Sequence, residues 1–277
     1  MSKKTKTFPL PLSSVMGRSS FEKPDYFGNR SRFDSVTVDG RPGKRKTDVP
    51  ESKPVRFQGA GLNRPVASKT LRSMTERLAR AGIADTVVLN AIGQIPRHLF
   101  VEPGLSGQAY EDVALPIGAH QTISKPSTIA KMLEALRAGS RQPCMKKILE
   151  IGTGCGYQAA ILAKIANEVY SVERIKSLHE LARRNLRSLR IANLRLHYGD
   201  GMLGLPQVAP FDGIIVAAAG VQVPDALLDQ LAIGGRLVAP IGLERQTLQR
   251  VERVSENKWE STVLDDCHFV PLRRGTV

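Results

Sequence analysis

The chain has 277 residues, 42% of them apolar, and 40 Lys/Arg against 26 Asp/Glu give a formal net charge of +14. That length supports one large domain or two small ones around a sizeable core, while no apolar run nears the roughly 20 residues needed to cross a bilayer. FPLPLSSVMG near the start is too short and too broken by proline for a signal peptide, and three cysteines without C-x-x-C spacing and five scattered histidines without H-E-x-x-H argue against a disulfide framework or a metal site. The expected location is the cytoplasm.

The charge is uneven. Residues 1–70 hold 15 Lys/Arg and 6 Asp/Glu, a balance of +9, which leaves 25 basic and 20 acidic groups, +5, for the other 207. Residues 1–67 show no sustained helical or strand period and are expected to be a disordered basic leader, mainly a solvated one. The domain proper is expected over 68–277. It opens with a helix in SKTLRSMTERLARAG, whose Leu71, Met74 and Leu78 share a face and whose stop is Gly82. IADTVVLNAIGQI gives a second, short helix closed by Pro96. An extended stretch with turns at Pro116 and Gly118 leads to Pro126, which suits a first helical turn. Thr122, Ser124 and Ser127 therefore cluster at a helix start.

Strands and helices then alternate. KILEI (147–151), EVYSVE (168–173), LRLHYG, FDGIIVAAA (211–219) and GGRLVAPIG (234–242) read as strands. GYQAAILAKIA, RIKSLHELARRNLRSL and PDALLDQL read as helices, the second with Ile175, Leu178, Ala182, Leu186 and Leu189 on one face. The fold class this predicts is α/β, a doubly wound, mostly parallel sheet. TLQRVERVSE and WESTVLDDCHFVPL then predict an antiparallel hairpin on its C-terminal edge.

A parallel sheet binds ligands beyond the carboxyl ends of its strands. The loop after the first strand holds Gly152, Gly154 and Gly156, so a ligand can lie against bare main chain at a helix start. The spacing is G-x-G-x-G with Tyr157 next, which departs from the dinucleotide G-x-G-x-x-G pattern. It matches the first motif of methyltransferases that use S-adenosylmethionine. Glu173 ends the second strand, where an acid can accept ribose hydroxyls; its alternative is a helix-capping acid. Asp200, in GDG after the third strand, can accept from an adenine amino group or simply make a turn.

The combination LPIGAHQTISKPSTIAKM, LEIGTGCGYQAAILA, VYSVER, GDG, APFDGIIVAAA, VPDALLDQLAIGGRLVAPIG and FVPL resembles the protein-L-isoaspartate O-methyltransferase family, in its bacterial form, from about Ser73 to Arg274. QTIS is the most specific of these segments. The resemblance implies a Rossmann-like methyltransferase fold and methyl transfer from S-adenosyl-L-methionine to the α-carboxyl of L-isoaspartyl residues in damaged proteins and peptides. S-adenosyl-L-homocysteine is the implied product, with no metal. Repair then proceeds through a succinimide that forms and reopens unaided. The implied cofactor contacts are Gln121, Thr122, Ile123, Glu150, Gly152, Thr153, Gly154, Gly156, Glu173, Asp200 and Gly201, and the implied active-site serine is Ser124. Lys125 replaces a frequent Gln, Ser127 a frequent aromatic residue and Cys155 a frequent Ser, and the first two bear on peptide preference.

An acceptor carboxylate is already ionised at neutral pH, its reference pKa being about 4, so no strong base is needed and orientation carries the catalysis. The expected role of the Ser124 hydroxyl is to hold that carboxylate, against the alternative of a helix cap. A nucleic-acid methyltransferase is the first competing reading. AAAGVQVP lacks the Asn/Asp-Pro-Pro-aromatic box of base-amino enzymes, although the basic leader leaves a nucleic-acid contact open. Tyr157 opposes a nicotinamide-dependent dehydrogenase, and the intact glycine loop, Glu173 and Asp200 oppose a non-catalytic binding module.

Overall fold

A computed structural model describes residues 64–139 and 144–277. The expected basic leader thus lies outside the described residues, apart from 64–67, which already belong to the first helix. That helix, α1 (Arg64–Arg80), buries Leu71, Met74 and Leu78, as its period predicts. Gly82, at φ +103°, ends the turn that follows, in the left-handed region open to glycine. In α2 (Thr86–Ile92), Asp85 caps the start by accepting from the Val87 and Val88 N–H groups. The same carboxylate meets the buried Arg137 guanidinium at 2.8 Å, which ties α2 to α3 (Pro126–Arg137). Between them lies a small antiparallel hairpin, β1 (Leu115–Gly118) and β2 (Gln121–Ile123).

The main sheet has seven strands: β3 (Met145–Ile151), β4 (Ala166–Glu173), β5 (Leu194–Tyr198), β6 (Phe211–Val216), β7 (Leu231–Ile241), β8 (Gln246–Ser255) and β9 (Lys258–Cys267). Their order is β5-β4-β3-β6-β7-β8-β9, parallel through β7 and antiparallel from β7 to β9, so the expected doubly wound sheet with a C-terminal hairpin is what forms. β3 is apolar on both faces because both are covered: Ile148 packs into one core, Leu149 and Ile151 into the other. The first core takes α4 (Tyr157–Ile165) and the inner face of α5 (Lys176–Arg187), through Leu178, Ala182 and Leu186. Burying one such Leu stabilises the fold by about 1.5–3 kcal/mol.

Two boundaries differ most from the sequence pattern, the strand expected over 211–219 ending at Val216. The helix expected over PDALLDQL is only α6 (Asp225–Asp229), and β7 begins at Leu231 instead of Gly234. Phe211 pairs with Leu231 before a register shift brings Gly213 opposite Arg236. A Cβ on Gly235 would stand 2.8 Å from the Ala232 carbonyl and 2.9 Å from that of Phe211, so the irregular pairing requires glycine there.

Candidate active site

β3 reverses the winding, with β4 on one side and β6 on the other, and a cavity of about 640 Å3 opens at the carboxyl ends of these strands. Its size falls within the roughly 300–1,000 Å3 of small-molecule sites. Residues 152–155 form its floor. Gly152, Gly154 and Gly156 all have positive φ, +94°, +56° and +92°, so the chain turns where a side chain would be strained. At Gly156 a Cβ would also stand 2.8 Å from Leu186 Cδ1, which makes this glycine a packing requirement between α4 and α5. Gly152 and Gly154 line the cavity with Thr153 between them.

Glu173 is buried at the end of β4 and lines the cavity. The Gly154 N–H donates to its Oε2 at 2.9 Å and the Ile175 N–H to its Oε1 at 2.9 Å. Ile175 is the N-cap residue of α5, so Glu173 holds both the glycine loop and the helix start. A carboxylate has about four acceptor positions, so two remain after these bonds.

Three of the expected cofactor contacts lie outside the cavity lining: Gly156, which packs against Leu186, Glu150 and Asp200. Glu150 does not line the cavity but lies fully buried beneath the loop. It pairs in register with Ser171, so both side chains leave the sheet on the same face. The Ser171 hydroxyl donates to Glu150, and the Ser171 and Thr153 hydroxyls meet at 2.6 Å, so the acid acts on the loop through two hydroxyls. Burial pushes its carboxyl up to about 8. Asp200 also lies outside the lining, and its carboxylate bridges two segments: Met202 N–H donates to Oδ1 at 2.9 Å and Gly275 N–H to Oδ2 at 2.7 Å. Its neighbour Gly201 does line the cavity, and a Cβ there would stand 2.3 Å from Ile151 Cγ2.

Across the cavity lie Gln121, Thr122, Ile123 and Ser124. The Gln121 amide donates to the His120 carbonyl at 3.1 Å and so braces the hairpin turn. In that turn Ala119 and His120 both have positive φ, +50° and +55°, and both face the cavity. Such a pair is the two-residue turn that Asn-Gly normally fills. Ser124 lines the cavity half-buried, with no hydrogen bond from its hydroxyl among the described residues. It is not the cap of α3, whose N-cap residue is Lys125, without a side-chain bond. The Asp112 carboxylate serves that helix end instead, accepting from the Ser127 N–H at 2.8 Å and its hydroxyl at 2.7 Å.

Sequence reasoning missed the wall built by residues 270–277. Val270, Pro271, Leu272, Arg273 and Val277 line the cavity. Ala219 N–H donates to the Val270 carbonyl and Leu272 N–H to that of Ala219, each at 2.8 Å. Further on, Arg174 Nε donates to the Gly275 carbonyl at 3.0 Å, and Lys176 N–H to that of Val277 at 2.8 Å. FVPL was the only local signal for this return. Behind the glycine loop, Arg97 is fully buried with its guanidinium 5.1 Å from the Tyr157 ring centroid, and burial lowers its pKa.

The arrangement offers main-chain donors, one buried acid and a hydroxyl without a partner among the described residues, around a cavity able to hold a small molecule. Known proteins fit it. The family model described as Protein-L-isoaspartate(D-aspartate) O-methyltransferase (PCMT) matches residues 69–276. A Janthinobacterium sp. protein-L-isoaspartate O-methyltransferase is 51% identical over 292 residues, covering 98% of each chain. One from Cupriavidus pinatubonensis is 57% identical over 216 residues, covering 74% of this chain and 73% of its own. A Plasmodium falciparum structure described as a beta-aspartate methyltransferase (PCMT) in complex with S-adenosyl-L-homocysteine aligns with TM-score 0.63 at 26% identity, covering 73% of this chain and 97% of its own. The chain belongs to the protein-L-isoaspartate O-methyltransferase family, whose members transfer a methyl group from S-adenosyl-L-methionine to the α-carboxyl of L-isoaspartyl residues and so initiate protein repair.

Proposed function

We propose that the cofactor lies along residues 152–156, with its ribose at Glu173 and its sulfonium end turned toward Ser124. The observation that carries this reading is the cavity itself, which brings the bare loop, Glu173 and Ser124 around one volume of about 640 Å3. The site fits such a group: Gly152 and Gly154 keep the floor free of side chains, and the acceptor positions left on Glu173 suit a pair of hydroxyls. When bound, S-adenosylmethionine supplies an activated methyl on a positively charged sulfur. The chain's own residues then bind and orient. Ser124 donates its hydroxyl to the isoaspartyl carboxylate, and with no other partner among the described residues it is available for that bond. No proton has to be removed from the acceptor, so the reaction needs no general base.

Glu150 and Asp200 act in this scheme as supports. Glu150 braces Thr153 through Ser171, and Asp200 holds the Met202 N–H on one side and the Gly275 N–H on the other. The acceptors are isoaspartyl proteins and peptides, met in the cytoplasm, with no metal taking part. A nucleic-acid base acceptor is disfavoured because β6 is followed by Ala217 and Ala218, whose side chains give a base amino group nothing to bond or stack on. The test is labelled-methyl transfer to a peptide containing L-isoaspartate, to the same peptide with ordinary aspartate, and to RNA. Equal incorporation into the two peptides, or preference for RNA, would refute the assignment.

A further inference from the structure

A second groove lies along the free edge of the main sheet. β5 pairs only with β4, so its outer backbone N–H and C=O groups have no strand partner among the described residues. Beside it a cavity of about 1020 Å3 opens between α5 and β5, walled by Arg183, Arg184, Arg187 and Arg190 with a single acid, Glu180. All four arginines are exposed, and none of their guanidinium groups has an ion-pair or hydrogen-bond partner among the described residues. Arg183 and Arg187 stand four apart on one helix, a spacing at which like charges repel. The helix dipole favours cations in the last turn and accounts for Arg184 and Arg187. It does not account for Arg190, which lies beyond the helix at φ +49°. That conformation costs about 1–2 kcal/mol for a residue with a side chain, and glycine there would remove the strain together with the charge.

We propose that this groove docks an extended acidic segment of the protein substrate, added alongside β5. The free strand edge supplies main-chain bonds to an extended chain. Leu194 and Leu196, alternate residues of β5, line the groove and suit apolar residues between the acids. A single strand of nucleic acid fits less well, because the lining holds no Phe, Tyr or Trp on which bases stack. The chain's own residues 1–63 are an unsuitable occupant, since 13 Lys/Arg against 6 Asp/Glu make them strongly basic.

The groove follows α5, whose 12 residues span about 18 Å, the length of five or six extended residues. β5 stands two strands from β3, an offset of about 10 Å across the sheet, and the groove lies toward the amino end of β5 while the cofactor cavity opens at the carboxyl ends of the strands. The docked segment and the isoaspartyl residue are therefore different parts of one substrate, and long acidic substrates gain where short peptides do not. This inference rests on the family's reaction but concerns only how substrates are selected.

The test compares the full chain with an Arg183→Gln/Arg187→Gln/Arg190→Gly variant. Two isoaspartyl peptides serve as acceptors, one short and one continued through a flexible linker into a Glu-Leu repeat, with a Gln-Leu repeat as control. The expected result is about a tenfold fall in kcat/KM for the Glu-Leu peptide alone, with the short peptide and the Gln-Leu control unchanged. Fluorescence anisotropy of a labelled Glu-Leu decapeptide should weaken in parallel and lose its salt dependence. Unchanged kcat/KM for the Glu-Leu peptide in the variant overturns the proposal, as does tighter binding of a 12-mer oligouridylate than of the decapeptide. Turnover of neither isoaspartyl peptide by the unaltered chain would instead contradict the reaction itself.

Discussion

Glu173→Gln separates the two duties of that acid. In the native chain Gly154 and Ile175 each donate a main-chain N–H to one carboxylate oxygen at 2.9 Å, and the side chain is buried. Hydrogen bonds to a charged group contribute about 1.5–3 kcal/mol each. Glutamine keeps one carbonyl oxygen, but its NH2 must face the other N–H, so one bond is lost and two donors meet. The expected loss of stability is about 2–3 kcal/mol, or roughly 5–10 °C in Tm for a domain of this size. If the remaining acceptor positions also hold the ribose hydroxyls, affinity for S-adenosylhomocysteine falls by a further factor of about 10–100. Isothermal titration with S-adenosylhomocysteine, run below the variant's melting range, measures the second effect, and a calorimetric scan measures the first. A variant with the lower Tm but with Kd within about threefold of native would refute the ribose assignment and leave Glu173 as a staple between loop and helix.

Ser124→Ala should lower kcat/KM for an isoaspartyl peptide by about 10–100-fold, as expected for one lost bond to a charged group, with S-adenosylhomocysteine affinity unchanged in titration. Gly156→Ala places a Cβ 2.8 Å from Leu186 Cδ1 at φ +92°. Urea unfolding should register a loss of about 2–3 kcal/mol. Ala119→Asn/His120→Gly gives the hairpin turn residues suited to its positive φ values and should raise stability by about 1–2 kcal/mol in the same assay. Glu150 sets a pH dependence. Its folded-state pKa of about 8 lies above the ordinary carboxylate value, so between about pH 5 and 8 the native state holds a proton that the unfolded chain has released. Stability from this group is complete below that window and is lost as pH rises through it. Thermal melts at pH 5.5, 7 and 8.5 should show that decline in the native chain and a shallower one in Glu150→Gln.

The amino-acid sequence alone determined the alternation of strands and helices, the apolar faces of α1 and α5, the glycine loop and the acid that closes β4. Each of these is a local matter of periodicity or of a backbone that only glycine tolerates, and the loop spacing, with Glu173 and Asp200, pointed away from a dinucleotide. Only the tertiary structure decided which way Glu150 and Asp200 point. Both stand at strand ends where a ligand contact was the natural reading. Glu150, however, is drawn beneath the loop by its register with Ser171, and Asp200 is engaged by Gly275, 75 residues along the chain. The return of residues 270–277 across the cavity, the burial of Arg97 against Tyr157 and the arginines beside β5, unpartnered among the described residues, likewise depend on contacts between distant segments. No local pattern encodes such contacts, because they exist only once the sheet has fixed its strand order and brought those segments together.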